Sequence, residues 1–363
     1  MILAAQDPHR RYEVVEDNYI CLVAPLPSQE KNEAEEKFDK SIPAPKYDAQ
    51  HQVITAPRME MMFTATIMRS QILRQSGDYE VYLATVMEQG ETKFQDKQWW
   101  INGNQTKAEE RSAFLYREFM IGKKLKHPNI QKYMYYVIDC DAKTKRYHYH
   151  ILLENIPNLE LKVFLTEQWG CLRDIAQIRH VAQQALQALR QIHRKKFIHS
   201  NFKTTNVTVN EETLDIKLVD LGVPCTFNRK KPDYLDKFLH KLRYMSPEEF
   251  EGKLSKKTDA WAFGCFVLKI TTGLEPYEGV DEPVEICSYV MNLQISPLDY
   301  SLQKHMFYCT KIFNCKDLYN LLKRCFKFDY RKRPTFRRLD KYDPFFKSTD
   351  AQGAEPDVAG PPK

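Results

Sequence analysis

The period of the hydrophobic pattern changes once along this chain, and that change limits the folds open to it. From about Met61 to Glu154 the apolar residues fall in short strand-like runs, Tyr79-Glu80-Val81-Tyr82-Leu83-Ala84-Thr85-Val86 among them. One helical stretch, roughly Lys107 to Leu125, interrupts them. After Leu159 the helical period takes over. Ile178, Val181, Ala182, Ala185, Leu186, Leu189 and Ile192 recur at i, i+3, i+4, i+7 spacing, which describes a buried amphipathic helix. A small sheet carrying one helix, followed by a larger helical half, predicts an α+β molecule of two lobes. With 363 residues, 43% of them hydrophobic, the chain can fill one two-lobed domain or two domains.

The ends differ from this middle. Residues 1–60 contain Pro25-Leu26-Pro27, the charged run Glu30 to Lys40 and Pro43-Ala44-Pro45, and they read as a partly flexible extension. Tyr12-Glu13-Val14-Val15 and Tyr19-Ile20-Cys21-Leu22-Val23 have strand composition, so part of the extension is expected to dock as a strand. Residues 348–363, rich in Ala, Gly, Pro and Asp, predict a disordered tail. No apolar run approaches the ~20 residues of a membrane span. Asp7, His9 and Arg10 cut the opening apolar residues too early for a secretory signal. The 9 cysteines include no C-x-x-C pair, which fits a reducing cytoplasmic or nuclear setting. The net charge of +6 is mild. Its basic clusters, Arg229-Lys230-Lys231, Lys253 to Lys257 and Arg331-Lys332-Arg333, read as solvated surface. Without interleaved aromatics they do not predict nucleic-acid binding.

A series of motifs then supplies chemistry. His199-Ser200-Asn201-Phe202-Lys203-Thr204-Thr205-Asn206, followed by Asp220-Leu221-Gly222, resembles the catalytic loop (H-R-D-x-x-x-x-N) and metal-binding loop (D-F-G) of a protein kinase. Arg117-Glu118-Phe119, with Leu125-Lys126-His127-Pro128-Asn129-Ile130, resembles that family's αC helix and the loop after it. Ser246-Pro247-Glu248 stands where the family has A-P-E. Asp259-Ala260-Trp261-Ala262-Phe263-Gly264 resembles the start of its long central helix, and Arg331-Lys332-Arg333-Pro334-Thr335-Phe336 its closing signature. In this order the motifs make residues 61–347 similar to the protein kinase superfamily. The implied fold is two-lobed, with a small N-terminal sheet lobe bearing αC at about 61–157 and a larger helical lobe at about 158–347.

The resemblance implies roles for particular residues. Glu248 and Arg333 would form a buried ion pair, and Asp259 would accept hydrogen bonds from the catalytic-loop backbone. Asn206 and Asp220 would ligate Mg²⁺, and Lys203 would contact a transferred phosphate. Lys97, in Phe94-Gln95-Asp96-Lys97 at the place of V-A-I-K, would pair with Glu118 and hold ATP; Lys93 is the alternative. Val81 would take the place of the valine in G-x-G-x-x-G-x-V. The backbone of Glu154 and Ile156, in Leu153-Glu154-Asn155-Ile156, would form the hinge that hydrogen-bonds adenine.

Other positions depart from the family pattern. Asn201 replaces the catalytic aspartate, and an amide oxygen is too weak a base to take a substrate hydroxyl proton. Loss of a positioned base costs on the order of 10²–10⁴ in rate. Arg74, Ser76 and Tyr79 stand where the loop glycines belong, with Gly77 displaced, so Cβ atoms should hinder the approach of backbone to phosphate. Gln95 and Thr208 replace the apolar residues above and below the base. Gly122 falls where αC normally offers an apolar residue, although a one-residue shift would place Ile121 there. Ser200 replaces the arginine that receives an activation-loop phosphate, which leaves phosphorylation at Thr226 or Tyr234 without a receiver. The His-x-Asn pattern with Asp220-Leu221-Gly222-Val223-Pro224 resembles the pseudokinase domains of Janus kinases, and Thr335-Phe336 leans toward tyrosine-kinase-like branches. His148 and His150 share a strand face but lack a third ligand at sensible spacing, so a packing role is expected. Trp99-Trp100 reads as a sheet aromatic pair.

These features predict a pseudokinase, a regulatory or scaffolding module that engages a protein partner and binds ATP and Mg²⁺ weakly at most. One alternative is a weakly active Ser/Thr or Tyr kinase, because phosphoryl transfer depends heavily on positioning and Asp220, Asn206 and Lys203 are kept. A pure scaffold without nucleotide is the other, favoured by the lost glycines and the polar adenine slot.

Overall fold

Strand-forming residues in the first part of the chain build one antiparallel sheet. The computed structural model describes residues 19–25, 46–47, 53–55, 61–75, 80–87, 91–101, 115–116, 118–141, 146–168, 170–221, 225–226 and 242–347. The expectations for Tyr12–Val15, Ser76, Gly77, Tyr79, Tyr234, the Arg229–Lys231 cluster and the C-terminal tail lie outside these residues. The chain divides into two units, residues 1–157 with 222–224, and residues 158–221 with 225–363.

In the first unit the strands are β1 Tyr19–Pro25, β2 Lys46–Tyr47, β3 Val53–Thr55, β4 Met61–Gln75, β5 Glu80–Met87, β6 Glu91–Ile101, β7 Tyr133–Asp141 and β8 Arg146–Glu154. Six of them pair in the order β1-β4-β5-β6-β8-β7, while β2 and β3 form a separate antiparallel pair. Strand β1 lies within the expected N-terminal extension. It pairs with β4 from Tyr19↔Met68 to Val23↔Thr64 and also approaches β7, so the sheet curls until its two edges come together. A helix through 115–116 and 118–124 follows β6.

The two-residue period of β6 sets Gln95 and Lys97 on one face and Asp96 and Gln98 on the other. Asp96, Lys97 and Gln98 are all buried, so both faces of the strand need internal partners. On the Asp96 face the partner is His150 of β8, whose Nδ1 lies 3.2 Å from Asp96 Oδ1, while Gln98 Nε2 donates to Asp96 Oδ2 at 2.7 Å. His150 thus has a packed, hydrogen-bonded place in the sheet. In the ladder Trp99 lies opposite Tyr149 and Trp100 opposite His148.

The second unit is mainly helical. Strands β9 Leu159–Glu160, β11 Val207–Val209 and β12 Ile216–Leu218 form a small sheet, and β10 Phe197–Ile198 pairs with β13 Cys225–Thr226. The helix Ile175–Arg194 starts at Asp174, whose side chain accepts from Gln177 N, and it buries the apolar stripe from Ile178 to Ile192. Gln184 projects from it to hold the β11–β12 connection, donating to Leu214 O at 3.0 Å and accepting from Ile216 N at 2.9 Å. The helix Lys256–Thr272 is buried around most of its circumference. A capping box of Ser255 and Thr258 opens it, and Gly273 ends it at φ 80°, a left-handed turn that glycine adopts without a Cβ penalty. Burial pushes the Cys309 and Cys325 thiols up to about 11 and about 12, which keeps them protonated and inert.

One ion pair ties Glu248 to the C-terminal end of this unit. Ser246 caps the short helix Pro247–Phe250, which carries Glu248 inward. Arg333 meets Glu248 with two parallel bonds of 2.7 and 2.8 Å, while its Nε donates to Lys327 O at 2.7 Å and its guanidinium lies 5.0 Å from the Trp261 ring centre. The basic run is therefore split, with Arg333 in the core and the Arg331 side chain at the surface. A buried pair that loses one member leaves an uncompensated charge. Glu248→Ala or Arg333→Ala is expected to cost ~3–5 kcal/mol, measured by denaturant unfolding of the full chain.

Candidate functional site

Each unit carries part of the expected site. In the sheet unit, Lys97 Nζ lies 3.1 Å from Glu118 Oε1, with both side chains almost fully buried. Lys97 sits on β6 opposite Val81 of β5, so Val81 and Lys97 are ladder partners. Lys93, opposite Thr85, has a side chain outside the described ones. Glu118 has a second partner that the sequence did not signal, since Tyr133 OH donates to the same Oε1 at 2.9 Å. Gly122 explains how the Tyr133 ring gets there. Residues 118 and 122 are four apart on one helix face, and a Cβ on Gly122 would fall 2.4 Å from the ring. The apolar side chain expected at 122 is therefore replaced by a tyrosine from β7, while Ile121 is itself buried.

Further along the same unit lies the expected hinge. Ile156 is buried, and Glu154 closes β8, its N–H donating to Lys132 O at 2.9 Å. Both hinge carbonyls accept from side chains. Gln131 Nε2 donates to Glu154 O at 3.0 Å, and Gln95 Nε2 donates to Ile156 O at 3.2 Å. Gln131 Nε2 also donates to Gln95 Oε1 at 2.9 Å, which joins the two carboxamides. Arg74, expected near the phosphates, pairs with Val81 in the β4–β5 ladder.

In the helical unit the expected catalytic loop hangs from one carboxylate. Asp259 Oδ2 accepts from His199 N at 2.8 Å and lies 2.7 Å from His193 Nε2; Oδ1 accepts from Ser200 N at 2.9 Å. Burial would raise the Asp259 carboxyl, but the hydrogen bond and charge of His193, the charge of His199 and the His199 N–H hold it below the usual carboxylate range. Ser200, at φ 57°, takes a left-handed conformation that the two backbone bonds to Asp259 sustain. Asn201 donates its N–H to His199 Nδ1 at 3.3 Å, and its carbonyl accepts from Asn206 Nδ2 at 3.0 Å. Asn206 and Asp220 are both buried, and Lys203 is partly exposed. Thr208 lies in β11 between Lys217 of β12 and Glu160 of β9.

Two of these groups offer the oxygen ligands that Mg²⁺ takes. With its Nδ2 committed to the loop, Asn206 has Oδ1 for a hard cation, and the Asp220 carboxylate is a donor of the same class. Among the described residues no group of three or more His, Cys, Asp or Glu side chains is placed to hold a metal, so an ion would complete its shell with water or phosphate. At the expected hinge, the Glu154 and Ile156 carbonyls each accept a hydrogen bond from a side chain of the same unit. Chemically, Asn201 can orient a hydroxyl but cannot take its proton.

Two tests follow from these contacts. Gly122→Ala should lower stability by ~1–3 kcal/mol through overpacking against Tyr133, and pairing it with Tyr133→Ala should recover part of that loss in a double-mutant cycle. Asp259 should make stability pH-dependent with a fixed sign. Its folded carboxyl titrates below the ordinary 3.8, so its contribution is complete above that value and lost as pH falls through the folded value. Chemical unfolding between about pH 2 and pH 6 should show a shallower acid decline in Asp259→Asn than in the unsubstituted chain.

The sequence profile described as "Protein kinase domain" matches residues 83–346. Mitogen-activated protein kinase kinase kinase 5 of Homo sapiens is 28% identical over 181 residues, 47% of this chain and 12% of that protein. Serine/threonine-protein kinase ppk25 of Schizosaccharomyces pombe is 29% identical over 170 residues, 46% of this chain and 38% of its own length. MAP3K epsilon protein kinase 1 of Arabidopsis thaliana is 28% identical over 229 residues, 61% of this chain and 15% of its own length. The chain thus spans well under two thirds of each relative it matches. With a profile match running from β5 to the last described turns, this chain belongs to the protein kinase domain family.

Proposed function

We propose that the chain is a pseudokinase, a kinase-fold module that regulates or scaffolds a protein partner and binds ATP weakly at most. The carrying observation is Asn201, an amide at the position of the proton-accepting aspartate, in a loop otherwise held in order by Asp259. Kinases of this family use ATP and Mg²⁺. Here Asn206 and Asp220 would supply oxygen ligands, Lys97 and Glu118 a buried charge pair, and Lys203 a cation for phosphate. None of these groups replaces the missing base. The free thiols of Cys171, Cys265 and Cys325 favour a reducing cytoplasmic or nuclear setting.

A weakly active kinase is the second reading, and the Lys97–Glu118 contact favours it, because that pair belongs to the positioning machinery rather than to proton transfer. The names of the relatives, mitogen-activated protein kinase kinase kinases and a serine/threonine-protein kinase, favour a serine/threonine branch over the tyrosine-kinase-like and Janus-like placement drawn from Thr335-Phe336 and His-x-Asn.

Purified full-length chain incubated with labelled ATP and Mg²⁺ should incorporate no phosphate into itself or into generic protein substrates. Incorporation that survives repurification and disappears in Asp220→Ala would overturn the pseudokinase reading in favour of the active one. Asn201→Asp alone should restore little, because the glycine-rich loop positions for phosphate remain occupied by side chains.

A further inference from the structure

We propose that Gln95 and Gln131 form a built-in plug at the hinge that takes the place of adenine. The proposal deepens the pseudokinase reading and rests on the assignment of Glu154 and Ile156 as the hinge. A hinge binds an aminopurine through one carbonyl, which accepts from the amine, and through the N–H two residues on, which donates to a ring nitrogen. Here the Glu154 carbonyl already has a donor, and the Gln95 carboxamide lies against the Ile156 carbonyl. Gln131 Nε2 reaches Glu154 O at 3.0 Å, and Gln95 Nε2 reaches Ile156 O at 3.2 Å. The 2.9 Å bond from Gln131 Nε2 to Gln95 Oε1 closes a chain from one carbonyl to the other. A primary carboxamide is planar and carries a donor beside an acceptor, as the edge of an aminopurine does. The two linked carboxamides therefore take the Glu154 carbonyl that the amine of the base would use and bridge the hinge as far as Ile156.

The two glutamines differ in how firmly they are held. Gln131 is fully buried, and its Nε2 makes two bonds while its Oε1 has no partner among the described residues. An apolar side chain would avoid that buried acceptor, so the cost is offset by what the Nε2 donates to. Gln95 is only half-buried and is the movable member. Its strand places it on the same face as Lys97, two residues away. For adenine to enter, Gln95 must leave Ile156 and Gln131 must yield Glu154 O, and the amine of the base then remakes only the bond to Glu154 O that the protein has given up. The net gain at the hinge is close to nil, and apparent affinity falls by the fraction of time the plug stays open. The Lys97–Glu118 pair can thus be fully formed without nucleotide being held.

Adenosine is the suitable probe, because it presents the base without phosphates and leaves the glycine-rich loop and the metal ligands out of the measurement. Full-length chain, Gln95→Ala and Gln131→Leu are titrated with adenosine by calorimetry, and their melting is recorded. Both variants should bind adenosine about tenfold more tightly than the unsubstituted chain, the effect of one hydrogen-bonded competitor removed. Gln95→Ala decides alone where Gln131→Leu fails to fold, since a half-buried residue can be shortened without opening the core. Equal or weaker adenosine binding by a folded Gln95→Ala overturns the plug. So does adenosine binding to the unsubstituted chain that leaves the Gln95 and Gln131 side-chain amide resonances unmoved. Phosphotransfer by the unsubstituted chain would overturn the pseudokinase reading instead, so the two failures are told apart by different assays.

Discussion

Asp259 holds the part of the helical unit on which its chemistry-bearing residues depend. One buried carboxylate takes the N–H groups of His199 and Ser200 and lies against His193, so a loop with a left-handed serine keeps a single shape. Asn201 contributes backbone groups to that shape, through His199 Nδ1 and Asn206 Nδ2. None of those bonds requires a carboxylate at position 201. The loop can therefore lose its base and keep its form, which is how a kinase-fold protein can shed proton transfer while its surfaces stay ordered.

The sheet unit shows a parallel economy. Around Lys97 strand β6 is buried on both faces, and each face carries its own polar set: Lys97 with Glu118 and Tyr133 on one, Asp96 with His150 and Gln98 on the other. Charges this deep persist only when each is paired, since desolvation of a lone ion costs several kcal/mol. The resulting interlock ties β6 to the helix at 118–124, to β7 and to β8 at once.

Much of the helical unit was legible in the sequence, because its signals are local. The stripe from Ile178 to Ile192 and the short motifs such as Ser246-Pro247-Glu248 each lie within a few residues of what they specify. Lys97 and Glu118 could be paired only by analogy with a family pattern. Tyr133 could not be found that way, because its role depends on a glycine eleven residues earlier whose missing Cβ makes room for a ring. Gln131 was hidden for a similar reason. A single polar residue after the Ile130 position carries no period, and its meaning appears only when β6 brings Gln95 beside it. His150 likewise read as one of two alternating histidines until Asp96 was placed across the sheet.

Strand β1 has a consequence for how the protein can be cut. The family profile begins at residue 83, inside β5, whereas the sheet begins at Tyr19. A fragment trimmed to the profile would discard β1, β4 and the first residues of β5, including Val81, the ladder partner of Lys97. The remnant of β5 would present a row of unpaired N–H and C=O groups, a template for pairing with other chains. Such a fragment should be sticky for reasons unrelated to its chemistry, and insolubility in it would say nothing about the 363-residue chain.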